Sequence, residues 1–316
     1  MPKSMAYRRQ SLRYDRHGSQ TGVVTDMLTD RQAREAVEQY REEGYAVVRQ
    51  FVDGDEMIRL KKETDAVYAE GLKHHATFRH GNLNFQILPE SDFGQRYVLQ
   101  AYWFSWINSY FEEFRRNPDY LKLLESLIGR DIRQIAQQLH WKPPGANVTG
   151  YRFHQDLRFR NQAAFDNVAD ATVTTGLAVD RATLDNGCLQ VVPGSQKLGY
   201  LGLSDEGTGE LMKGLTAEEE LRKVGIDPAT IVPLVLEPGD LALWGLLTVH
   251  GSSPNKSQHD RAFALSSYVR ADTTQRGEWA FRDGVSVPLG KTPALCKYEK
   301  LFEEPGPMYD TTAWWK

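Results

Sequence analysis

Apolar positions recur along this chain with two different periods, and the period changes near residue 131. Before it, apolar residues fall three and four apart, as on one face of a helix. Thr29 to Gln32 reads as a capping box opening a helix through about Glu43, with Gly44 as its stop. Ala33, Ala36, Val37 and Tyr40 form its apolar stripe. Tyr45 to Phe51 reads as a strand, followed by a long charged helix from about Gly54 to Lys73. A loop containing Gly81 and Pro89 leads to a helical stretch from about Phe93 to Arg115. There Trp103, Trp106 and Tyr110 fit one helical stripe, of the kind that usually faces a core. A shorter helix runs from Asp119 to Ile128.

From Asp131 onward the pattern is strand-like, with frequent turns. Along Arg133 to Lys142, Gln134, Ala136, Gln138, His140 and Lys142 fall on one side. Ile135, Gln137, Leu139 and Trp141 fall on the other. The polar side faces either water or a pocket, in which case Gln138, His140 and Lys142 contact substrate or cosubstrate. Val148, Thr149, Tyr151 and Phe153 suit a strand leading into His154. Asn186 and Gly187 mark a turn into a buried strand, with Cys188 a small core residue rather than a catalytic thiol. The segment Gly199 to Pro233 is long, charged and glycine-rich, with a short helix near Ala217 to Val224. It is either a lid over the substrate or a surface insertion. Asp240 to Val249 and Arg261 to Val269 are two apolar runs separated by a turn-rich stretch. They read as two antiparallel strands joined by a loop.

Composition narrows the class. Of 316 residues, 41% are hydrophobic and 25% charged, which is ordinary for a globular enzyme. A net charge of −4 gives no reason to invoke nucleic acid or an anionic membrane. The two cysteines, Cys188 and Cys296, are too few for a disulfide framework and fit a reducing, cytoplasmic setting. No apolar run approaches the length of a membrane span, and Met1 to Gln10 lacks the hydrophobic region of a signal peptide. No internal repeat or linker divides the chain, so a single domain over residues 1–316 is expected. Residues 1–25 would be a mobile arm, 130–270 the core and 199–233 the lid insertion.

The chemistry is carried by His154, Asp156 and His250. Side chains at i and i+2 of a strand share a face, so His154 and Asp156 point together while Gln155 points away. With one distant histidine they can make the facial triad of two histidines and a carboxylate that holds non-haem iron(II) and leaves positions open. An HxD pair alone is weak evidence. Its companions change the weighting: His250 ends the first apolar run, and Arg261 starts the next. A guanidinium there could grip a carboxylate with paired hydrogen bonds, and Ser252 could add a hydroxyl.

Together these pieces resemble the phytanoyl-CoA dioxygenase family of iron(II)/2-oxoglutarate-dependent oxygenases. The matching residues are Lys142 to Gly145, His154 to Asp156, Asp185 to Ser195, and His250 to Ser252 through Arg261, in the family's order. Arg152 and Phe153 precede His154, where the family frequently carries a tryptophan. The resemblance implies that His154, Asp156 and His250 bind Fe(II). It also implies that Arg261, helped by Ser252, binds the distal carboxylate of 2-oxoglutarate, with O2 as cosubstrate. The strand pattern with such a site points to a mainly β fold with N-terminal helices. That fold is a double-stranded β-helix, or cupin-like jelly roll, covered on one face by helices.

The implied activity is hydroxylation of an unactivated C–H bond of a small molecule, with release of succinate and CO2. Retained Asp156 argues against halogenation. Desaturation, cyclisation or epimerisation with the same cofactors is the nearer alternative. A non-catalytic jelly roll or a zinc hydrolase lies farther off. Arg158 and Arg160 share the face of His154 and Asp156 if the strand continues, and would favour a polar or carboxylated substrate. If the strand ends, both are solvated. His74, His75 and His80 read as surface residues, not a second metal site. Oligomeric state is not readable, and the tail Ala313 to Lys316 could cap this domain or a partner.

Overall fold

The structure, a computed structural model, describes residues 11–14, 20–24, 28–144, 149–203 and 217–312. Strands β1 (Ser11–Tyr14) and β2 (Gln20–Val24) pair antiparallel. The rest of the expected N-terminal arm, Gly145, Val148 and the tail from Ala313 lie outside the described residues. Helix α1 (Asp30–Glu43) begins and ends where local chemistry dictates. The Thr29 hydroxyl accepts from the Gln32 amide, the Gln32 side chain accepts from the Thr29 N–H, and Gly44 closes the helix at φ 79°. Strand β3 (Tyr45–Val48) and helix α2 (Gly54–Gly71) follow as the periodicity predicts.

The stretch from 77 to 115 departs from expectation. In place of a loop, β4 (Thr77–His80) and β5 (Leu83–Leu88) form a hairpin around Gly81. In place of one helix, a single turn α3 (Glu90–Phe93) precedes strand β6 (Tyr97–Tyr102), and helix α4 spans only Ser109–Phe114. Trp103 is left-handed at φ 51°, so Trp103, Trp106 and Tyr110 share no helix face. The physical reason lies in β6, which pairs on both edges and has four consecutive buried residues. A strand covered on both faces shows no alternation to read.

Helix α5 (Pro118–Ile128) leads to strand β7 (Ile132–Lys142) and then β8 (Tyr151–His154). Beyond them come α6 (Val168–Ala171), β9 (Thr172–Ala178), β10 (Gln190–Val191), α7 (Ala217–Lys223) and β11 (Val232–Pro233). Strands β12 (Leu241–Gly245), β13 (His250–Ser252) and β14 (Arg261–Arg270) carry the rest of the site. The chain closes with β15 (Glu278–Arg282), β16 (Val285–Ser286) and β17 (Met308–Asp310).

Besides the β1–β2 pair, the described strands form two antiparallel sheets. The larger runs β17-β4-β5-β6-β7-β14-β9-β12-β3, and the smaller runs β11-β10-β13-β8. This is a mainly β, jelly-roll architecture. Leu60 and Val67 of α2 and Leu123 and Leu124 of α5 pack in one core with Phe85, Val98, Leu139, Trp141 and Leu177. The helices thus cover one face of the larger sheet. On the smaller sheet, Leu203, Leu221 and Ile226 pack with Phe153, Val192 and Val249.

The run from 240 to 249 is not one strand paired with β14. A turn closed by Thr248 N–H on Gly245 O breaks it. Strand β12 therefore lies in the larger sheet and β13 in the smaller, while β14 pairs with β7 and β9. His250 and Arg261 consequently meet across the sandwich, not along a hairpin.

Candidate active site

Strand β8 ends at His154, and Asp156 to Phe159 coil into a 3-10 turn. Gln155 between them is still extended, so the side-chain alternation survives one residue past the strand. Buried Gln155 points away from the site. Its amide donates to Gly199 O and Leu247 O at 2.8 Å each and accepts from Leu201 N–H at 2.7 Å. His250 on β13 sits directly opposite His154 in the smaller sheet. Ligand atoms of His154, Asp156 and His250 lie within 4.8 Å of one another.

Each histidine is oriented from behind. Nδ1 of His154 lies 2.8 Å from Arg152 O, and Nδ1 of His250 lies 2.9 Å from Thr248 O. A carbonyl can only accept, so each Nδ1 carries the proton and each Nε2 offers a lone pair. The two Nε2 atoms stand 3.5 and 3.6 Å from Asp156 Oδ1. Trp244 Nε1 donates to the other carboxylate oxygen at 3.1 Å, which fixes the rotation of the group. Burial opposes the Asp156 charge, but His250 and His154 outweigh it and hold the carboxyl well below the usual range. Burial also pushes the His250 imidazole down to about 4, so it is neutral at ordinary pH. A carboxylate and two imidazoles with outer hydrogen bonds match the donor set of an iron(II) facial triad.

These residues line a cavity of about 550 Å³. Its wall on the larger sheet is a cross-strand ladder. Arg261 pairs with Lys142, Phe263 with His140, Leu265 with Gln138 and Ser267 with Ala136, and all eight line the cavity. The polar side of β7 thus faces the pocket rather than bulk water. Arg261 and Lys142 are both buried. Arg261 donates to Gly187 O at 2.7 Å, and its Nε has no partner among the described residues. Burial lowers its pKa to about 10. Lys142 Nζ donates to Ser252 Oγ at 2.7 Å and to Ser253 O at 2.6 Å, leaving the Ser252 proton free to donate onward. Burial and then Arg261 push the Lys142 ammonium well down. Two buried cations with no carboxylate partner among the described residues form a ready receptor for one. His140 lies 2.7 Å from Gln138 Oε1 and is driven to about 3 by burial, with Arg261 and Lys142 adding to the shift.

One expected residue does not reach the cavity. Because the strand stops at His154, alternation fails beyond Asp156, and half-buried Arg158 does not line the cavity, its guanidinium lying 5.2 Å from the Phe159 ring centroid. Arg160 lines the cavity instead. None of the described residues of 199–233 lines it, while 204–216 lie outside the described residues. Sequence reasoning missed Tyr151, Gln100, Tyr102, Trp244 and Lys297. Tyr151 enters through a bulge, because Arg152 and Phe153 of β8 oppose Gly251 alone of β13. Gln100 Nε2 donates to the Tyr151 hydroxyl at 2.5 Å, and the Tyr102 hydroxyl donates to Gln100 Oε1. Both come from β6, the strand mistaken for helix. Cys188 and Cys296 are free and buried. His74 stacks on Phe78 at 3.8 Å and His75 on Tyr309 at 4.3 Å, away from this cavity. Among the described residues, no helix is long and apolar enough to cross a membrane.

Residues 40–263 match the sequence model of the family described as phytanoyl-CoA dioxygenase (PhyH). Among curated relatives, the dioxygenase lolE1 of Epichloe uncinata is 30% identical over 148 residues, 47% of this chain and 50% of that protein. A probable alpha-ketoglutarate-dependent hypophosphite dioxygenase of Stutzerimonas stutzeri is 30% identical over 158 residues, 50% of this chain and 52% of that protein. The chain thus spans about half the length of these relatives. Among solved structures, the non-heme alpha ketoglutarate dependent carbocyclase SnoK from nogalamycin biosynthesis superposes with a TM-score of 0.56 at 19% identity. The match covers 83% of this chain and 96% of that one, a likeness of fold.

Proposed function

The chain belongs to the phytanoyl-CoA dioxygenase family of iron(II)/2-oxoglutarate-dependent oxygenases, and on that premise we propose that it hydroxylates an unactivated C–H bond of a small molecule. The observation that carries this reading is the cavity itself, where two imidazoles and a carboxylate converge beside the buried cations Arg261 and Lys142. His154, Asp156 and His250 would hold iron(II). Arg261, Lys142 and the Ser252 hydroxyl would hold the distal carboxylate of 2-oxoglutarate. Bound together with O2, these groups supply an oxidation that inserts one oxygen atom into a C–H bond and converts 2-oxoglutarate to succinate and CO2.

The chain's own residues contribute position and environment. The carbonyls of Arg152 and Thr248 set the histidine tautomers, and Trp244 fixes the carboxylate. Phe263 and Leu265 line the wall beyond Arg261 and limit water there. Neutral His140 sets a third donor or acceptor beside the cations without adding charge.

The test is spectroscopic and chemical. Iron(II) and then 2-oxoglutarate are added to metal-free protein without oxygen. A weak visible charge-transfer band should require both and weaken in Arg261→Ala. With oxygen and substrate, succinate release should accompany a product heavier by one oxygen atom. Absence of the band in wild-type protein, with zinc bound instead, would sink the reading. A product lacking the added oxygen would replace hydroxylation with desaturation or cyclisation.

A further inference from the structure

The ladder of β7 and β14 gives the cavity two ends. From Arg261 to Ser267 the strand advances six residues, ~20 Å at ~3.3 Å per residue. A five-carbon diacid anchored at Arg261 has four C–C bonds of ~1.5 Å and cannot reach Ser267. Yet the Ser267 end also carries positive charge, on Arg160 and Lys297, which Asp156 offsets only through space. Arg160 Nη2 donates to Ser267 Oγ at 3.3 Å, and its Nε is buried with no hydrogen-bond partner among the described residues. Among the described residues neither Arg160 nor Lys297 forms an ion pair. Lys297 stands at the exposed rim, its ammonium 5.8 Å from the Phe159 ring centroid. The crowded wall around it, and then Arg160, hold that ammonium below the lysine range. Arg276 is different, because Glu299 neutralises it at 2.9 Å. The carboxylate facing this end is Asp156, which already serves the imidazoles and Trp244.

We propose that Arg160 and Lys297 form a receptor for an oxyanion of the substrate, at the end of the cavity away from the 2-oxoglutarate cations. Phe159, Phe165 and Ile135 line the same region and supply apolar wall. The substrate class is therefore a small molecule with a carboxylate or a phosphonate at one end and an aliphatic segment beside His154, Asp156 and His250. A guanidinium forks onto either anion, and a buried charge-assisted pair of this kind outweighs neutral contacts. The proposal rests on the oxygenase reading of this cavity.

The test is calorimetric titration of full-length protein holding iron(II) and saturating 2-oxoglutarate without oxygen. The probes are hexanoate, hexylphosphonate and hexanol. At least one anion should bind, and hexanol should bind at least about tenfold more weakly. The tighter of the two anions identifies the headgroup. Arg160→Gln should weaken that anion by at least about tenfold, and Arg160→Lys should recover part of the loss. Lys297→Met should cost less, because Lys297 lies at the rim. Equal binding of hexanol overturns the proposal, as does undiminished anion affinity in Arg160→Gln. So does anion binding that saturating 2-oxoglutarate abolishes, since the site would then be Arg261. If wild-type protein forms no charge-transfer band, the oxygenase reading has failed separately. The same titrations on metal-free protein then decide the anion site alone.

Discussion

Asp156 serves two partners at once, with one oxygen facing both imidazoles and the other accepting from Trp244. Replacing it with alanine should reduce iron(II) affinity by at least about tenfold and abolish turnover, as metal titration and succinate assays would report. Arg261→Ala should raise the 2-oxoglutarate KM by at least about tenfold through loss of a charge-assisted pair, with the metal site intact. His140 carries a pH consequence. Its folded pKa, about 3, lies below the ordinary histidine value, so between the two the unfolded chain binds a proton that the folded protein does not. Stability from this group is therefore full above about pH 6.5 and is lost as pH falls through the window toward 3. Urea melts of wild type and His140→Asn should converge on acidification within that window. Parallel curves would contradict this assignment.

At the scale of elements, legibility followed the locality of the signal. The capping box of Thr29 and Gln32, the Gly44 stop and the extent of α2 depend on neighbours in sequence and could be read from it. Strand β6 could not, because Tyr97 to Tyr102 is covered on both faces and shows no alternation, while Trp103, Trp106 and Tyr110 just beyond it mimic a helical stripe. The convergence of His154, Asp156 and His250 was legible through i,i+2 spacing. The loss of Arg158 from that face, with Arg160 still lining the cavity, was not, since nothing in the local sequence announces the 3-10 turn after Gln155. Lys297 reaches the cavity from a segment with no periodic pattern. Gly251 is an element-level weak point. A Cβ there would stand 2.9 Å from Tyr151 O and 3.1 Å from Phe153 N, wedging β13 from β8. Gly251→Ala should therefore lower metal affinity more than thermal stability, measured by metal titration beside melting curves.

Over the whole molecule, helices and site occupy different faces of the larger sheet. Leu123 is fully buried in the helix-to-sheet core. Leu123→Ala should cost about 2–5 kcal/mol in unfolding experiments while leaving the metal-binding constant of the folded protein unchanged. The site itself straddles the sandwich. His154 and His250 belong to the smaller sheet, whereas Arg261 and Lys142 belong to the larger. A cosubstrate gripped at both ends would act as a strut across that seam. Breathing of the two sheets would then be damped by the ligand, in addition to the Lys142–Ser252 and Gln100–Tyr151 hydrogen bonds that already cross the seam. Amide hydrogens of β8 and β13 should exchange more slowly only when iron(II) and 2-oxoglutarate are both present. The same strut would release when its far end is detached, so succinate departure would also be the moment at which the sandwich relaxes.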